Sequence, residues 1–147
     1  WTATGFCDIG FCSVPTDLPS LQYEQVNAER GICIVPQSHR LATRTVLDPA
    51  DFEGEHFISL PAESPNRQEI DRHFPSGSRV LAIETPYATT ICKMVARGLG
   101  VSIVSPIVSR ALDLADVREI PFSRDVMRNV RSAVARCISA ARASPSS

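Results

Sequence analysis

Residues 79–104 read RVLAIETPYATTICKMVARGLGVSIV, and this stretch contains a strand, a helix and a second strand in succession. Arg79–Ile83 is short and apolar, which predicts a strand. Thr85–Pro86 follows, and a hydroxyl residue before proline typically begins a helix. Gly98 ends that helix, and Gly100–Val104 is again a short apolar strand. One face of the helix is apolar, and it consists of Ile91, Met94, Val95 and Leu99.

The same alternation extends towards the N-terminus. Gly31–Val35 and His56–Leu60 are predicted strands, and each is followed by proline. Asp48–Pro49 begins a short helix that Gly54 ends, and Ser64–Pro65 begins another. Strands that alternate with helices predict an α/β lobe on a largely parallel sheet, spanning roughly residues 18–117. Arg79–Ile83 and Val101–Val104 are expected to lie in one sheet.

The two ends of the chain are predicted to belong to a second, incomplete sheet. Gly5–Cys12 is a short apolar strand, and Val117–Ile120 is a final strand before proline. Residues 125–143 permit a helix, and we interpret the evenly spread arginines there as a solvated helix face rather than an anion site. The predicted domains are residues 1–17, a remnant of a first lobe; 18–117, the second lobe; and 118–147, a return to the first lobe with a divergent tail.

Composition and charge exclude several classes of protein. Of the 147 residues, 44% are hydrophobic, which is enough to form a hydrophobic core. The formal net charge is −1, so the composition does not indicate a basic surface for binding nucleic acid. No segment is apolar and long enough to span a membrane. The N-terminus lacks Met and a signal-peptide pattern, and we interpret it as partial. The cysteines are odd in number and mostly in apolar contexts, which predicts reduced thiols in the cytoplasm; they are Cys7, Cys12, Cys33, Cys92 and Cys137.

Catalytic and metal-binding patterns are not found in the sequence. Gly98–Gly100 follows a helix and precedes a strand, the reverse of the order in a dinucleotide-binding loop. The cysteines and histidines lack metal-ligand spacing, and Cys92 has no neighbouring base. We therefore predict that the chain is not an enzyme and holds no metal or cofactor.

Polar residues at two strand-to-helix junctions predict a binding site for a small carboxylate. The junctions are Ser59–Pro65 and Glu84–Ala88, and both offer hydroxyl groups and the free N–H groups of a helix start. A simpler interpretation is that Ser64 and Thr85 only cap helices, and the two roles are compatible. The predicted site residues are Ser59, Leu60, Pro61, Glu63, Ser64, Thr85 and Tyr87.

Four segments together resemble the effector-binding domain of LysR-type transcriptional regulators. Ile83–Pro106 is similar to the family's late motif, with a Glu-Thr pair, a helix ending in Val-x-x-Gly-x-Gly and an apolar strand that ends near proline. Cys7–Gly10 resembles the Asp-Ile-Gly strand of the family, Val35–Ala42 its P-x-x-H-P-L-A loop, and Leu47–Phe57 its L-x-G-x-x-F segment. Residues 127–147 do not match the family's usual C-terminus.

The resemblance implies a periplasmic-binding-protein type II-like α/β fold, with one doubly wound lobe nearly complete and a second only partly present. It implies a small-molecule effector bound between two lobes, a homo-oligomeric regulator, and DNA contact only through a domain missing from this chain. The amino-acid sequence of residues 85–104 is most similar to that of opine- and amino-acid-responsive members of the family. In that case Glu63 would meet the cationic end of the effector, and Tyr87 would supply an apolar wall. The alternative is that Glu63 is a plain surface acid and Tyr87 is core.

Two other functions remain open on the sequence alone. An exported solute-binding protein of the same fold is one alternative, although five unpaired-looking cysteines disfavour it. A small α/β enzyme is the other, and it would need a nucleophile and a base that the sequence does not show.

Overall fold

The computed structural model describes residues 9–12, 21–28, 30–126 and 131–137. Trp1–Ala28 with Asn129–Ser147 forms one compact unit, and Glu29–Arg128 forms another. The strands are β1 (Ile9–Cys12), β2 (Leu21–Ala28), β3 (Ile32–Pro36), β4 (His56–Ser59), β5 (Val80–Glu84), β6 (Ser102–Val104), β7 (Val117–Pro121) and β8 (Arg131–Cys137). The helices are two 3-10 segments, Arg40–Thr43 and Pro49–Phe52, followed by α1 (Pro65–Asp71), α2 (Ala88–Ala96) and α3 (Pro106–Leu112).

The smaller unit contains an antiparallel sheet of order β1-β8-β2. The pairing of β1 with β8 confirms the predicted second sheet from the two ends of the chain, but its central strand, Arg131–Cys137, lies in a segment that the sequence analysis describes as permitting a helix. Val134 pairs with Phe11, and Ala135 pairs with Tyr23, so β8 exchanges ladder hydrogen bonds with a strand on each side. Such pairing overrides a permissive local helix propensity. Arg131 and Arg136 therefore lie on a strand, not on a helix face.

Strand pairing also places the unit boundaries differently from the sequence analysis, which divides the chain at residues 17 and 117. The strand Leu21–Ala28 pairs with β8 and belongs to the smaller unit. At the other end, Val117–Pro121 pairs with β3 and belongs to the larger unit, which ends at Arg128. The predicted strand Gly5–Cys12 is confirmed over Ile9–Cys12, and residues 5–8 lie outside the described residues.

The larger unit has two hydrogen-bonded ladders, β6-β3-β7 and β4-β5. They meet at Val101, directly before β6, through a parallel bridge to Phe57. The Ile58 amide donates to the Val101 carbonyl, and the Val101 amide donates to the His56 carbonyl, both at 2.9 Å. The strand order is therefore β5-β4-β6-β3-β7, and β5 and β6 lie on either side of β4.

The α/β prediction is confirmed, with one correction to strand direction. The strands β5, β4, β6 and β7 run parallel, but β3 is antiparallel to both β6 and β7. Burial explains why the sequence did not show this, since Cys33–Pro36 is buried on both faces and a continuous apolar run carries no information on direction. The expectation that residues 79–83 and 101–104 share one sheet is not met by strand ladders, because β5 and β6 belong to separate sheets, β4-β5 and β6-β3-β7, which the isolated bridge at Val101 joins.

The core of the larger unit has two parts. Helix α2 packs against β3, β4 and β6, and the buried residues there are Ile34, Ile58, Ile91, Cys92, Val95 and Val104. The second part is an aromatic cluster, in which Phe52 makes edge-to-face contacts with Phe57, Phe74 and Phe122 at centroid distances of 5.6–6.0 Å.

The predicted helix boundaries at Asp48, Ser64 and Gly98 are confirmed. Asp48 accepts a hydrogen bond from the Ala50 amide, and Asp51 accepts one from the Asp48 amide, which makes a capping box before Pro49. Ser64 is the N-cap of α1, with Pro65 as the first helical residue. Gly98 has φ +77° and follows α2, as expected for a helix stop. Within the described ranges, no helix has the length and hydropathy needed to cross a membrane.

The cysteine prediction is tested for two of the five residues. Cys33 and Cys92 are buried free thiols. Burial raises the pKa of the Cys33 thiol, and it raises the pKa of Cys92 to about 11. The side chains of Cys7, Cys12 and Cys137 lie outside the described residues.

We expect Cys33 and Cys92 to resist alkylation by iodoacetamide in the native protein at pH 8 and to react fully in urea. The thiolate is the nucleophile, and both thiols remain protonated and shielded at that pH. Peptide mass spectrometry after timed quenching measures each site separately. Native-state labelling of Cys92 as fast as that of the urea-denatured protein would contradict the packing described for α2.

Candidate functional site

Parallel pairing of β4 and β5 brings the two predicted junctions side by side. Ser59 is opposite Glu84 in the ladder, so both strands end at the same edge of the sheet. The Thr85 amide donates to the Ser59 carbonyl at 3.0 Å, which continues the pairing by one residue. Polar groups of separate chain segments therefore share one edge, where ligands of open α/β sheets bind.

The first junction carries five of the predicted site residues. Ser59 is buried at the end of β4, and Leu60 and Pro61 are half-buried. Glu63 is exposed. Ser64 is half-buried and caps α1, but its hydroxyl makes no hydrogen bond to that helix. The sharp turn after β4 thus leaves the Ser64 hydroxyl uncommitted to the helix and Glu63 at the surface.

The second junction differs from the prediction in its cap. The N-cap of α2 is Tyr87, not Thr85, because Thr85 still belongs to the strand pairing and the helix starts only at Ala88. The Thr85 hydroxyl accepts a long hydrogen bond from the Tyr87 amide, at 3.5 Å. Tyr87 is 66% exposed, so the alternative that it is a core residue is wrong.

Arg67 joins the two junctions, and the sequence analysis missed it. Its Nη1 donates to the Leu60 carbonyl at 2.8 Å and lies 3.5 Å from the Glu84 carboxylate. Its Nε donates to both carboxylate oxygens of Asp71, at 2.7 and 2.8 Å, and the arginine is buried. The i,i+4 spacing of Arg67 and Asp71 was a usable signal for a helical ion pair. The contact with Leu60 depends on the fold.

A third junction also reaches this edge, because β6 runs parallel to β4. Ser105 follows β6 and caps α3, and it is buried. The Ser102 hydroxyl donates to the Ile58 carbonyl at 2.6 Å, which links the first residue of β6 to β4 near its carboxyl end. Beyond Ser105, Ile107 is exposed. The Ser105-Pro106 pair repeats the pattern of Ser64-Pro65, so the sequence did contain a signal for this junction.

The exposed charges at the edge are acidic, and they favour a ligand with a cationic group. Glu63 and Glu84 are both exposed. Arg67 lies beside Glu84, and it is already engaged by Asp71 and the Leu60 carbonyl. Among the described residues, Glu63 has no hydrogen-bond or ion-pair partner, and no group of three or more His, Cys, Asp or Glu residues could hold a metal ion.

The predicted site residues do not line the three cavities described for residues 30–126, which measure about 500, 390 and 310 Å³. They are gathered on one edge of the larger unit. A bound molecule would need further walls to be enclosed, since small-molecule sites usually bury most of their ligand.

Comparison with known proteins places this architecture in a family. Residues 1–142 match the family model described as the LysR substrate binding domain. The transcriptional activator protein LysR of Escherichia coli K12 is 41% identical over 86 residues, which are 57% of this chain and 27% of that protein. The regulatory protein NocR of Agrobacterium tumefaciens T37 is 35% identical over 101 residues, 67% of this chain and 34% of that protein.

A solved structure shows the same fold. The BenM effector binding domain with its effector benzoate superposes with a TM-score of 0.69 at 18% identity, covering 95% of this chain and 64% of that one. The periplasmic-binding-protein type II-like α/β fold is therefore confirmed. The chain spans about a quarter to a third of the length of the two curated relatives. It belongs to the LysR substrate-binding domain family.

Proposed function

We propose that this chain is the effector-sensing domain of a LysR-type transcriptional regulator and that it binds a small amino-acid-like or opine-like carboxylate. The observation that carries the proposal is the Thr85–Ser59 hydrogen bond, which brings two polar junctions to one sheet edge. Benzoate, the effector of the structurally similar BenM domain, is also a carboxylate. Charge-assisted hydrogen bonds from hydroxyl and amide groups suit such a ligand.

The proposed roles of the site residues follow from their positions. The hydroxyls of Ser59, Ser64 and Thr85 donate to the carboxylate, with the backbone of Leu60 and Pro61 shaping the turn. Glu63 is exposed and unpaired within the described residues, so it binds the cationic end of the effector. Tyr87 presents an exposed ring with a polar tip, which suits a wall of the cleft.

The proposal extends to the full-length regulator that would contain this domain. The full regulator is a cytoplasmic homo-oligomer that contacts DNA through a domain outside this chain, and the domain described here performs no catalysis. Edge strand β5 supports self-association, because Val80 and Leu81 are 46% and 52% exposed on it. An exposed apolar edge strand favours pairing with another chain.

The Glu63→Gln substitution tests the proposed effector. In the full-length regulator, we expect it to weaken binding of octopine, an opine with a guanidinium group, by about 1.5–3 kcal/mol, or roughly 10- to 150-fold. Calorimetric titration gives the dissociation constants. An opine derived from alanine is the matched ligand, and its affinity should change little, because it lacks the second cationic group.

Glu53→Gln is the control variant for this titration. Glu53 is also an exposed acid, but it precedes β4 and lies away from the carboxyl ends of the strands. It should leave both affinities unchanged. Equal octopine curves for wild type and Glu63→Gln would contradict the proposed role of Glu63, and no saturable opine binding by the wild type would contradict the effector class.

A further inference from the structure

Arg79 is a buried cation between two aromatic rings. Its side chain is 6% exposed, and its guanidinium carbon lies 4.3 Å from the Phe57 ring centroid and 4.0 Å from that of Phe74. The guanidinium also donates to Asp71, the carboxylate that already accepts from Arg67. Two arginines therefore share one carboxylate.

The hydrogen bonding of Arg79 is incomplete. Its Nη1 is buried and has no hydrogen-bond partner among the described residues. An unsatisfied buried donor costs about 1–3 kcal/mol, and more when it is charged, so proteins rarely leave one without an acceptor. The rings of Phe57 and Phe74 attract the cation but accept no ordinary hydrogen bond from its Nη1.

A cavity of about 310 Å³ adjoins this cluster. It is lined by Asp71, Phe74, Pro75, Ser76, Gly77, Arg79 and Leu81. Its size exceeds what one water molecule needs and is sufficient for a small anion. Residues 75–77 form an exposed turn over the cavity, with Gly77 at φ +76°.

The local charge favours an anion over a neutral acceptor. Arg67 and Arg79 carry two positive charges against the single charge of Asp71. Glu84 lies 3.5 Å from Arg67, but its side chain is 55% exposed, so water screens much of its charge. The buried part of the cluster therefore has an excess positive charge and one guanidinium nitrogen, Nη1 of Arg79, that lacks an acceptor.

We infer that this cavity is a binding site for a small oxyanion, a carboxylate or a phosphate, that accepts hydrogen bonds from Arg79. The site is separate from the proposed effector edge, because Arg79 precedes β5 whereas that edge lies beyond Glu84 at the opposite end of the strand. Planar guanidinium groups bind carboxylates and phosphates through bidentate hydrogen bonds. Nη1 has no exposed surface in this structure, so the side chains packed around the guanidinium must shift for this nitrogen to reach the anion.

NMR titration of the 15N-labelled chain tests this inference. Inorganic phosphate and acetate are titrated separately at constant ionic strength, with chloride as the reference anion. We expect saturable chemical-shift changes at the Arg79 Nε and the amides of residues 71–81 with phosphate, acetate or both. The anion that gives saturable changes shows whether the site binds a phosphate or a carboxylate. Shifts that are linear or that match those of chloride with both anions would overturn the site and leave water as the acceptor.

Arg79→Lys is the matched substitution, because lysine retains the positive charge but lacks the planar guanidinium that makes two parallel hydrogen bonds. We expect it to weaken the saturable binding about tenfold, while Arg72→Lys, at the exposed C-cap of α1, has no effect. If Arg79→Lys does not fold, Leu81→Glu replaces it, since Leu81 is half exposed and lines the cavity. Leu81→Glu should weaken phosphate binding by repulsion, whereas Leu99→Glu, which is exposed elsewhere, should not. Unchanged binding in the folded cavity variant would contradict the proposal.

Discussion

Replacing Phe52 with alanine is expected to destabilise the Glu29–Arg128 unit by about 3–5 kcal/mol. Phe52 is 0% exposed and contacts the rings of Phe57, Phe74 and Phe122. Its loss removes a large apolar side chain and leaves a cavity that three rings cannot fill by small movements. Domains of this size are stable by only about 5–15 kcal/mol, so the loss is a large part of the total.

Urea denaturation followed by circular dichroism measures this effect. Leu99→Ala is the matched control, because Leu99 is a large apolar residue of the same unit that is 49% exposed. We expect that control to change the free energy of unfolding by about 0.5 kcal/mol or less. A Phe52→Ala variant as stable as Leu99→Ala would show that the aromatic cluster does not stabilise the native state.

Gly100→Ala is expected to destabilise the same unit by about 2–4 kcal/mol. A Cβ at this position would lie 2.4 Å from the His56 carbonyl oxygen and 3.2 Å from Ile58 Cγ1. The obstacle is backbone, so it cannot move aside as a flexible side chain does. The same His56 carbonyl accepts from the Val101 amide, and separating the strands would break the bridge that joins the two ladders.

Gly98→Ala separates the steric effect from the conformational one. Gly98 has φ +77°, and nothing lies within 4 Å of a Cβ built there. Its substitution therefore costs only the strain of a left-handed residue, about 1–2 kcal/mol. Thermal and urea unfolding of both variants should rank Gly100→Ala as clearly less stable. Equal losses would mean that the close approach of β4 and residue 100 does not limit stability.

The candidate site could be predicted from the sequence only in part. Both predicted junctions were identified because apolar runs end at Ser59 and Glu84 and helix-start residues follow. Their closeness could be anticipated only from the expected parallel sheet. The Thr85–Pro86 pattern predicts Thr85 as the cap of α2, because the local sequence does not reveal that the pairing of β5 with β4 continues to Thr85. Arg67 was missed, since its contact with the Leu60 carbonyl needs the turn of the folded chain.

The amino-acid sequence alone determined the order of most strands and helices, the family, and the residue types at two junctions, because these depend on neighbours along the chain. Tertiary structure decided the antiparallel direction of β3 and the strand conformation of Arg131–Cys137. It also decided which side chains meet, such as Arg67 and Arg79 on Asp71. The physical reason is that strand pairing and the burial of charge join residues distant in sequence, and their free energies exceed the local propensities that a sequence displays.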